Sequence, residues 1–417
     1  MRRSEAGALG VLIATTLAIR LGFAAVLPSR YYSIDIHIWE SVTRVLMAGG
    51  NPYATTSLLY YPPFWMQILW VLGKLSIHTH VTLAHLIQFF LIGIDVLIVA
   101  IAYLFMKVLG VGRRAFWLAL VGIALNPVSI FMSVEHGNFD SMIGLFALAA
   151  VFALVVWNRK GISSIWLLAC LSIGLGILAK TVPLILTPIL LVRWRETDWA
   201  ARVVGLGMVV GPALLGVSVL YVLSPQPVAA EVFHYRSAAG YFGISGLLNL
   251  VGGEQATTRY SQVFPVLALA VVVVGAVVIA RARVLSEQAI VLGSLLLLLW
   301  VPPLGSGYGP QYIGWLLPLA VVMFATSTGK LRVSLAIFGA VALLTYTFEY
   351  AVIPLQGAST RALLSPQSAQ TLFRLPLFFA YLGVLVVGMV TLFDAPDPAP
   401  AQPAGRRPVP SAVARTE

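Results

Sequence analysis

The sequence predicts an all-α integral membrane protein, a bundle of about twelve transmembrane helices with further helices lying on its outer face. Three observations carry that expectation. Of 417 residues, 59% are hydrophobic and only 10% are charged, against roughly one-quarter charged in soluble domains. Mean hydropathy is +0.94. Apolar runs approaching the roughly 20 residues that a helix needs to cross a bilayer recur from one end to the other. No soluble fold hides that much apolar surface, and in lipid a helix satisfies its own backbone polar groups.

The first run, residues 7–27, follows Met1, Arg2 and Arg3 in the manner of a signal peptide, but its length suits a retained anchor. Further runs suited to spans lie at 82–106, 115–133, 139–157, 162–179, 182–193, 203–223, 262–280, 287–303, 311–326, 333–352 and 374–393. Phe64 to Ile77 differs. It is short, follows Pro62 and Pro63, contains Gln67 and Lys74, and runs into His78 and His80. Counting it as a span would carry Arg113 and Arg114 outside, against the positive-inside rule, so it is expected on the outer surface. Residues 394–417, with Pro396, Pro398, Pro400, Pro403, Pro408 and Pro410, are expected to be a disordered cytoplasmic tail after a single membrane domain, 1–393.

The formal net charge of +11 does not call for a nucleic acid partner, because basic residues also set membrane orientation. With both termini cytoplasmic, the inner ends carry Arg2, Arg3, Lys107, Arg113, Arg114, Arg159, Lys160, Arg193, Arg195, Arg202, Arg281, Arg283, Lys330, Arg332, Arg406, Arg407 and Arg415. Long connections at 28–81, 223–261 and 353–373 then face outward, with short turns at 134–138, 180–181 and 304–310. The ionisable and polar residues suited to chemistry share that outer side: Asp35, His37, Glu40, Glu135, His136, Asp140, Lys180, His234, Arg236, Glu254, Arg259, Tyr308 and Gln311. The protein is thus expected in the cell membrane, with a site on its outer face in contact with membrane lipids. Cys170, the one cysteine, sits in an apolar run and reads as packing.

In the first outer loop, Ile38, Trp39, Val42, Val45 and Leu46 recur at helical spacing, the stripe of a helix lying on the bilayer. Asp35 at its start suits either an N-cap or a general base facing water and substrate. Lys180, beside Pro183, suits a phosphate site or an ammonium snorkelling to headgroups; Arg236 and Arg259 suit a phosphate or anionic lipid. In 136–140, Gly137 and Asn138 suit a tight turn and Asp140 the N-cap of the next span, while His136 and Asp140 also suit a sugar pocket. One His beside one carboxylate lacks the third ligand of a metal site. Gln311 and Tyr312 follow Pro310 as an ordinary helix start. Asp95, deep in the second span, costs roughly 2.5–3.5 kcal/mol on insertion scales and is expected to be partnered or protonated. Tyr60, Tyr61, Phe64 and Trp65 read as interfacial aromatics, with a sugar-stacking platform as the alternative.

Taken in order, these motifs resemble the polyprenyl-phosphate-sugar-dependent glycosyltransferases of the GT-C fold, and most of all the bacterial mannosyltransferases of glycosyltransferase family 87. The resemblance rests on Asp35, then Gly50-Asn51-Pro52-Tyr53, Tyr61-Pro62-Pro63 ahead of a non-spanning helix, His136-Gly137-Asn138-Phe139-Asp140, Lys180, and Gly309-Pro310-Gln311-Tyr312. It implies that Asp35 is the catalytic base. It also implies an inverting transfer of a hexose, mannose in the family, from a polyprenyl-phosphate donor to a glycolipid or envelope glycan acceptor. Because the leaving phosphate departs with its own charge, a protein cation replaces a metal, so neither metal nor cofactor is expected. Lys180, Arg236 and Arg259 are the donor-phosphate candidates. His37, Tyr61, His136, Asn138, Asp140, Tyr308, Gln311 and Tyr312 are the candidates for the sugar and acceptor pocket. Residues 1–223 would form the catalytic half and 224–393 a variable half shaping acceptor choice. The competing expectations are a transporter or lipid flippase, which would place ionisable groups at the bilayer midplane of matching halves, and a non-catalytic scaffold.

Overall fold

Helix is the only regular structure among the described residues, as lipid demands of a backbone offered no other partners. The computed structural model describes residues 3–29, 32–55, 61–223, 225, 242–281, 285–307, 309–352 and 366–394. Its helices are α1 (Arg3–Val26), α2 (Ile34–Met47), α3 (Phe64–Thr79), α4 (Leu83–Val108) and α5 (Arg113–Ala124). Past an Asn126 cap, the chain continues as Pro127–Phe131 into a π-helical turn, Met132–His136. Then come α6 (Asp140–Lys160), α7 (Ser163–Ala179), a 3₁₀ segment (Val182–Leu191), α8 (Trp199–Leu223) and α9 (Gly243–Arg281), the last broken at Gly253. The series ends with α10 (Glu287–Leu299), α11 (Ile313–Thr326), α12 (Gly329–Thr347) with a π-helical turn Phe348–Val352, and α13 (Pro366–Phe393).

Among the described residues, nine helices are long and apolar enough to cross a membrane: α1, α4, α5 extended to His136, α6, α8, α9, α10 extended to Leu304, α12 extended to Tyr350, and α13. This is an integral, multi-pass membrane protein. Each of the twelve apolar runs falls on a helix, but α7, the 3₁₀ segment and α11 with its leading turn are shorter. The ten residues of the 3₁₀ segment reach roughly 20 Å at about 2.0 Å per residue. With Lys180 and Thr181 before it and Val192 and Arg193 after it, the segment carries the chain from one end of α6 to the other. Lys180 before it bonds Asp140 at the start of α6, and Arg193 after it bonds the carbonyl of Asn158 near the other end of α6.

The two ends differ in chemistry. One gathers the Lys107–Glu5 pair at 2.8 Å, the Arg159–Glu287 pair, and Asn158 Nδ2 donating to the Leu285 carbonyl at 3.1 Å. The other gathers Asp35, His136, Asp140, Lys180 and Arg374. Between them α6 is the most deeply buried of these spans, and it meets α4, α7 and α11. A Cβ at Gly144 would strike the Gly314 carbonyl, so α6 and α11 approach with the small-residue contact that membrane helices use.

Asp95 has the partner its position demands. Arg20 of α1 donates Nε to Asp95 Oδ2 at 2.7 Å, Nη1 to the Ala124 carbonyl at 2.7 Å and Nη2 to Ser129 Oγ at 2.8 Å. Two expectations about the outer loop need correction. The apolar face of α2 does not lie on lipid. Ile36, Trp39, Val42 and Thr43 are buried, and α2 packs against α3, which presents Trp65, Met66, Leu69, Leu72 and Gly73. Trp65 is likewise not interfacial, because it is fully buried and stacks on Phe139 at 4.9 Å. α3, at 16 residues, is not among the span candidates.

Candidate active site

The start of α2 is stitched to the 133–140 turn by a series of hydrogen bonds. Ser33 N donates to the Glu135 carbonyl at 3.2 Å, Ser33 Oγ to the His136 carbonyl at 2.6 Å, and Trp39 Nε1 to the Gly137 carbonyl at 3.0 Å. Gly137 takes φ +60, and a Cβ there would overlap Ile36 Cγ1. The glycine therefore serves both the left-handed turn and the close approach of α2. Gly137→Ala is expected to cost about 1–3 kcal/mol from backbone strain alone and to separate α2 from the turn. A lowered thermal midpoint in detergent, accompanied by loss of activity, checks this.

This stitching decides what Asp35 does. The N-cap of α2 is Ser33, whose hydroxyl accepts from Asp35 N at 3.2 Å, so capping does not occupy the Asp35 carboxylate. Its Oδ2 instead receives Asn138 Nδ2 at 2.6 Å and faces His136 Nε2 at 3.0 Å. The Asp35 side chain keeps 20% of its surface exposed, whereas that of His136 keeps 5%. Burial alone would raise the Asp35 carboxyl. The His136 hydrogen bond and charge, the Asn138 hydrogen bond and the Lys180 charge outweigh it and hold the group below its ordinary 3.8.

Lys180 is not snorkelling to headgroups. Its Nζ lies 2.8 and 3.1 Å from the two oxygens of fully buried Asp140, beneath the rings of Tyr61, Tyr312 and Trp315 at 5.2, 4.8 and 4.8 Å. Asp140 is thus an ion-pair partner and not the N-cap of α6. That cap position falls to Phe139, and Asn138 Oδ1 accepts from Asp140 N at 2.8 Å. The Asn138 amide spends one end on Asp35 and the other on α6. Tyr61 packs edge-on to Phe139 at 5.0 Å, which joins the aromatic cluster of Trp39, Trp65 and Phe139 to the lysine.

Of the residues expected to share a pocket, Asp35, Tyr61, His136, Asn138, Asp140, Lys180 and Tyr312 are brought together. His37 is not, since its side chain is 58% exposed and lies 3.5 Å from Glu40. Gln311 folds over Gly309, where a Cβ would strike its amide. Arg259 is exposed on α9. Arg236, Tyr308, His234, Tyr60 and the tail from 395 lie outside the described residues. Sequence reasoning missed Tyr346 and Tyr350, whose hydroxyls reach His136 Nδ1 at 2.8 Å and Nε2 at 3.1 Å, and also Trp315. Among the described residues, no group of three His, Cys, Asp or Glu has a metal-holding arrangement.

A carboxylate, an imidazole and a caged ammonium at one end of a membrane bundle suit group transfer to a hydroxyl. The sequence profile of glycosyltransferase family 87 matches residues 59–303, more than half of the chain. The chain belongs to glycosyltransferase family 87. It is accordingly a membrane glycosyltransferase, with a sugar donor and an acceptor as substrates. Comparison with curated proteins found no match. The family 87 match contains Tyr61, His136, Asn138, Asp140 and Lys180 but begins after Asp35, so the role of that carboxylate rests on its geometry.

Proposed function

We propose that the protein moves a hexose, mannose by resemblance, from a polyprenyl-phosphate donor to a lipid-linked or envelope glycan acceptor at the outer face of the cell membrane. The observation that carries this reading is Asp35. It is a carboxylate released from capping, partly open to solvent, aligned by two neighbours and set at the same end as Lys180. As the acceptor oxygen bonds to the anomeric carbon, its proton passes to Asp35 and the bond from that carbon to the phosphate oxygen breaks, releasing polyprenyl phosphate. Attack opposite the phosphate inverts the anomeric centre. Lys180 is the proposed phosphate contact, sharing its ammonium between Asp140 and the donor.

Removing Lys180 alone would strand a buried carboxylate, so the informative variant is the pair Lys180→Gln with Asp140→Asn. It is expected to fold and to raise the donor KM about 10- to 100-fold, the worth of a hydrogen bond to a charged group. The positive-inside rule assigns the basic end to the cytoplasm and α2 to the outside. Ser41 is exposed on α2 and Cys170 is buried, so Ser41→Cys should react with an impermeant maleimide added to intact cells. Labelling only after lysis would reverse the orientation. The decisive test of function is a panel of polyprenyl-phosphate sugars offered to purified protein. Hexose transfer, with mannose foremost, is expected; activity with nucleotide sugars alone would overturn the donor class.

A further inference from the structure

We propose that His136, oriented by Tyr346 and Tyr350, is the positioning residue for Asp35, so that the base is completed by a helix from the C-terminal half of the chain. The proposal rests on the reading of Asp35 as the base. Three contacts fix the imidazole. Nε2 lies 3.0 Å from Asp35 Oδ2 and 3.1 Å from the Tyr350 hydroxyl, and Nδ1 lies 2.8 Å from the Tyr346 hydroxyl. The Tyr350 ring stacks on the imidazole with centroids 4.2 Å apart, and Tyr346 stacks on Tyr350 at 4.6 Å. The two tyrosines come from the end of α12 and its π-helical turn. Arg374 of α13 anchors that turn by donating to Glu349 at 2.8 and 3.3 Å.

An ionised Asp35 can only accept, so the Nε2 that lies 3.0 Å from its Oδ2 carries a hydrogen pointed at it. Oδ2 then receives both His136 and Asn138, and Oδ1 is the oxygen that takes the acceptor's proton. The other ionisable groups around the pair are Glu135, whose buried Oε2 has no hydrogen-bond partner among the described residues, the Asp140–Lys180 pair and the Glu349–Arg374 pair. Among the described residues, none of these groups hydrogen-bonds the Asp35 carboxylate, which meets His136 and Asn138.

A bystander histidine and a positioning one predict different pH behaviour. Asp35 works ionised, and its carboxyl lies below the ordinary value because its partners outweigh burial. Activity is therefore present above that lowered value and lost as pH falls through it, while the stability this group contributes is fully present above the ordinary carboxyl value and is lost as pH falls from there through the lowered one. Without His136, burial is less opposed and the acid limb of kcat/KM must move to higher pH.

The experiment measures kcat/KM against pH, with a polyprenyl-phosphate hexose, for the parent, His136→Ala, His136→Gln, Tyr346→Phe and Asp35→Asn. His136→Ala is expected to lose about 10- to 100-fold, mainly in kcat, with its acid limb displaced upward. His136→Gln, whose amide reaches the Nε2 position, should recover part of both. Tyr346→Phe, which removes one hydroxyl and keeps the packing, should shift in the same direction by less, and it serves where the alanine variant does not fold. An acid limb that stays in place in the His136 and Tyr346 variants, with Asp35→Asn inactive, overturns this inference and leaves Asp35 as the base. Transfer retained by Asp35→Asn overturns both.

Discussion

Asp35→Asn is expected to lower kcat by about 10²- to 10⁴-fold, the range a positioned general base supplies. The substitution keeps shape and volume, leaves Ser33 capping α2, and retains an oxygen to receive His136 or Asn138. What it removes is the capacity to take a proton. Because the carboxylate is not a cap, the thermal midpoint in detergent should fall only by what the lost charge contributed, so that the variant stays folded at the assay temperature and a chemical defect is separated from a folding one. Single-turnover rates at saturating donor and acceptor check the first expectation, and the midpoint checks the second. A kcat within a few-fold of the parent would remove Asp35 from the chemistry.

Asp95→Ala is expected to cost about 3–5 kcal/mol of stability, the consequence of leaving one partner of a buried ion pair uncompensated. Arg20 is fully buried, and among the described residues its Nε donates to Asp95 alone, while Nη1 is spent on the Ala124 and Thr16 carbonyls and Nη2 on Ser129. The pair ties α1 to the middle of α4 and to the joint after α5. Replacing both residues with apolar side chains of similar volume should restore much of the loss. Chaotrope unfolding in detergent distinguishes the single and double variants. Retained stability with transfer abolished in the double variant would give this pair a role beyond packing.

The helices were legible in the sequence because the bilayer fixes their length and leaves the backbone no other choice, as the apolar runs at 82–106 and 139–157 illustrate. The segment from His136 to Asp140 and the lysine at 180 were legible as a cluster because each sits at a helix end on the same face. Their pairings were not. Asp35 and Asp140 each stood where an N-cap belongs, and a shift of one or two residues in the helix start gave those duties to Ser33 and Phe139. His136 meets a tyrosine 210 residues away and Asp140 a lysine 40 residues away, separations with no periodic signature. Tyr346 and Tyr350 therefore read as ordinary members of an apolar span. His37, nearer to Asp35 in sequence than His136, points away because it lies on the opposite side of α2 from the buried Ile36 and Trp39.

The anomeric configuration of the product, determined by NMR after purified protein is given a polyprenyl-phosphate hexose and a lipid-linked acceptor, tests the single displacement at Asp35 most directly. Inversion relative to the donor is the predicted result; a linkage formed with retention would contradict it.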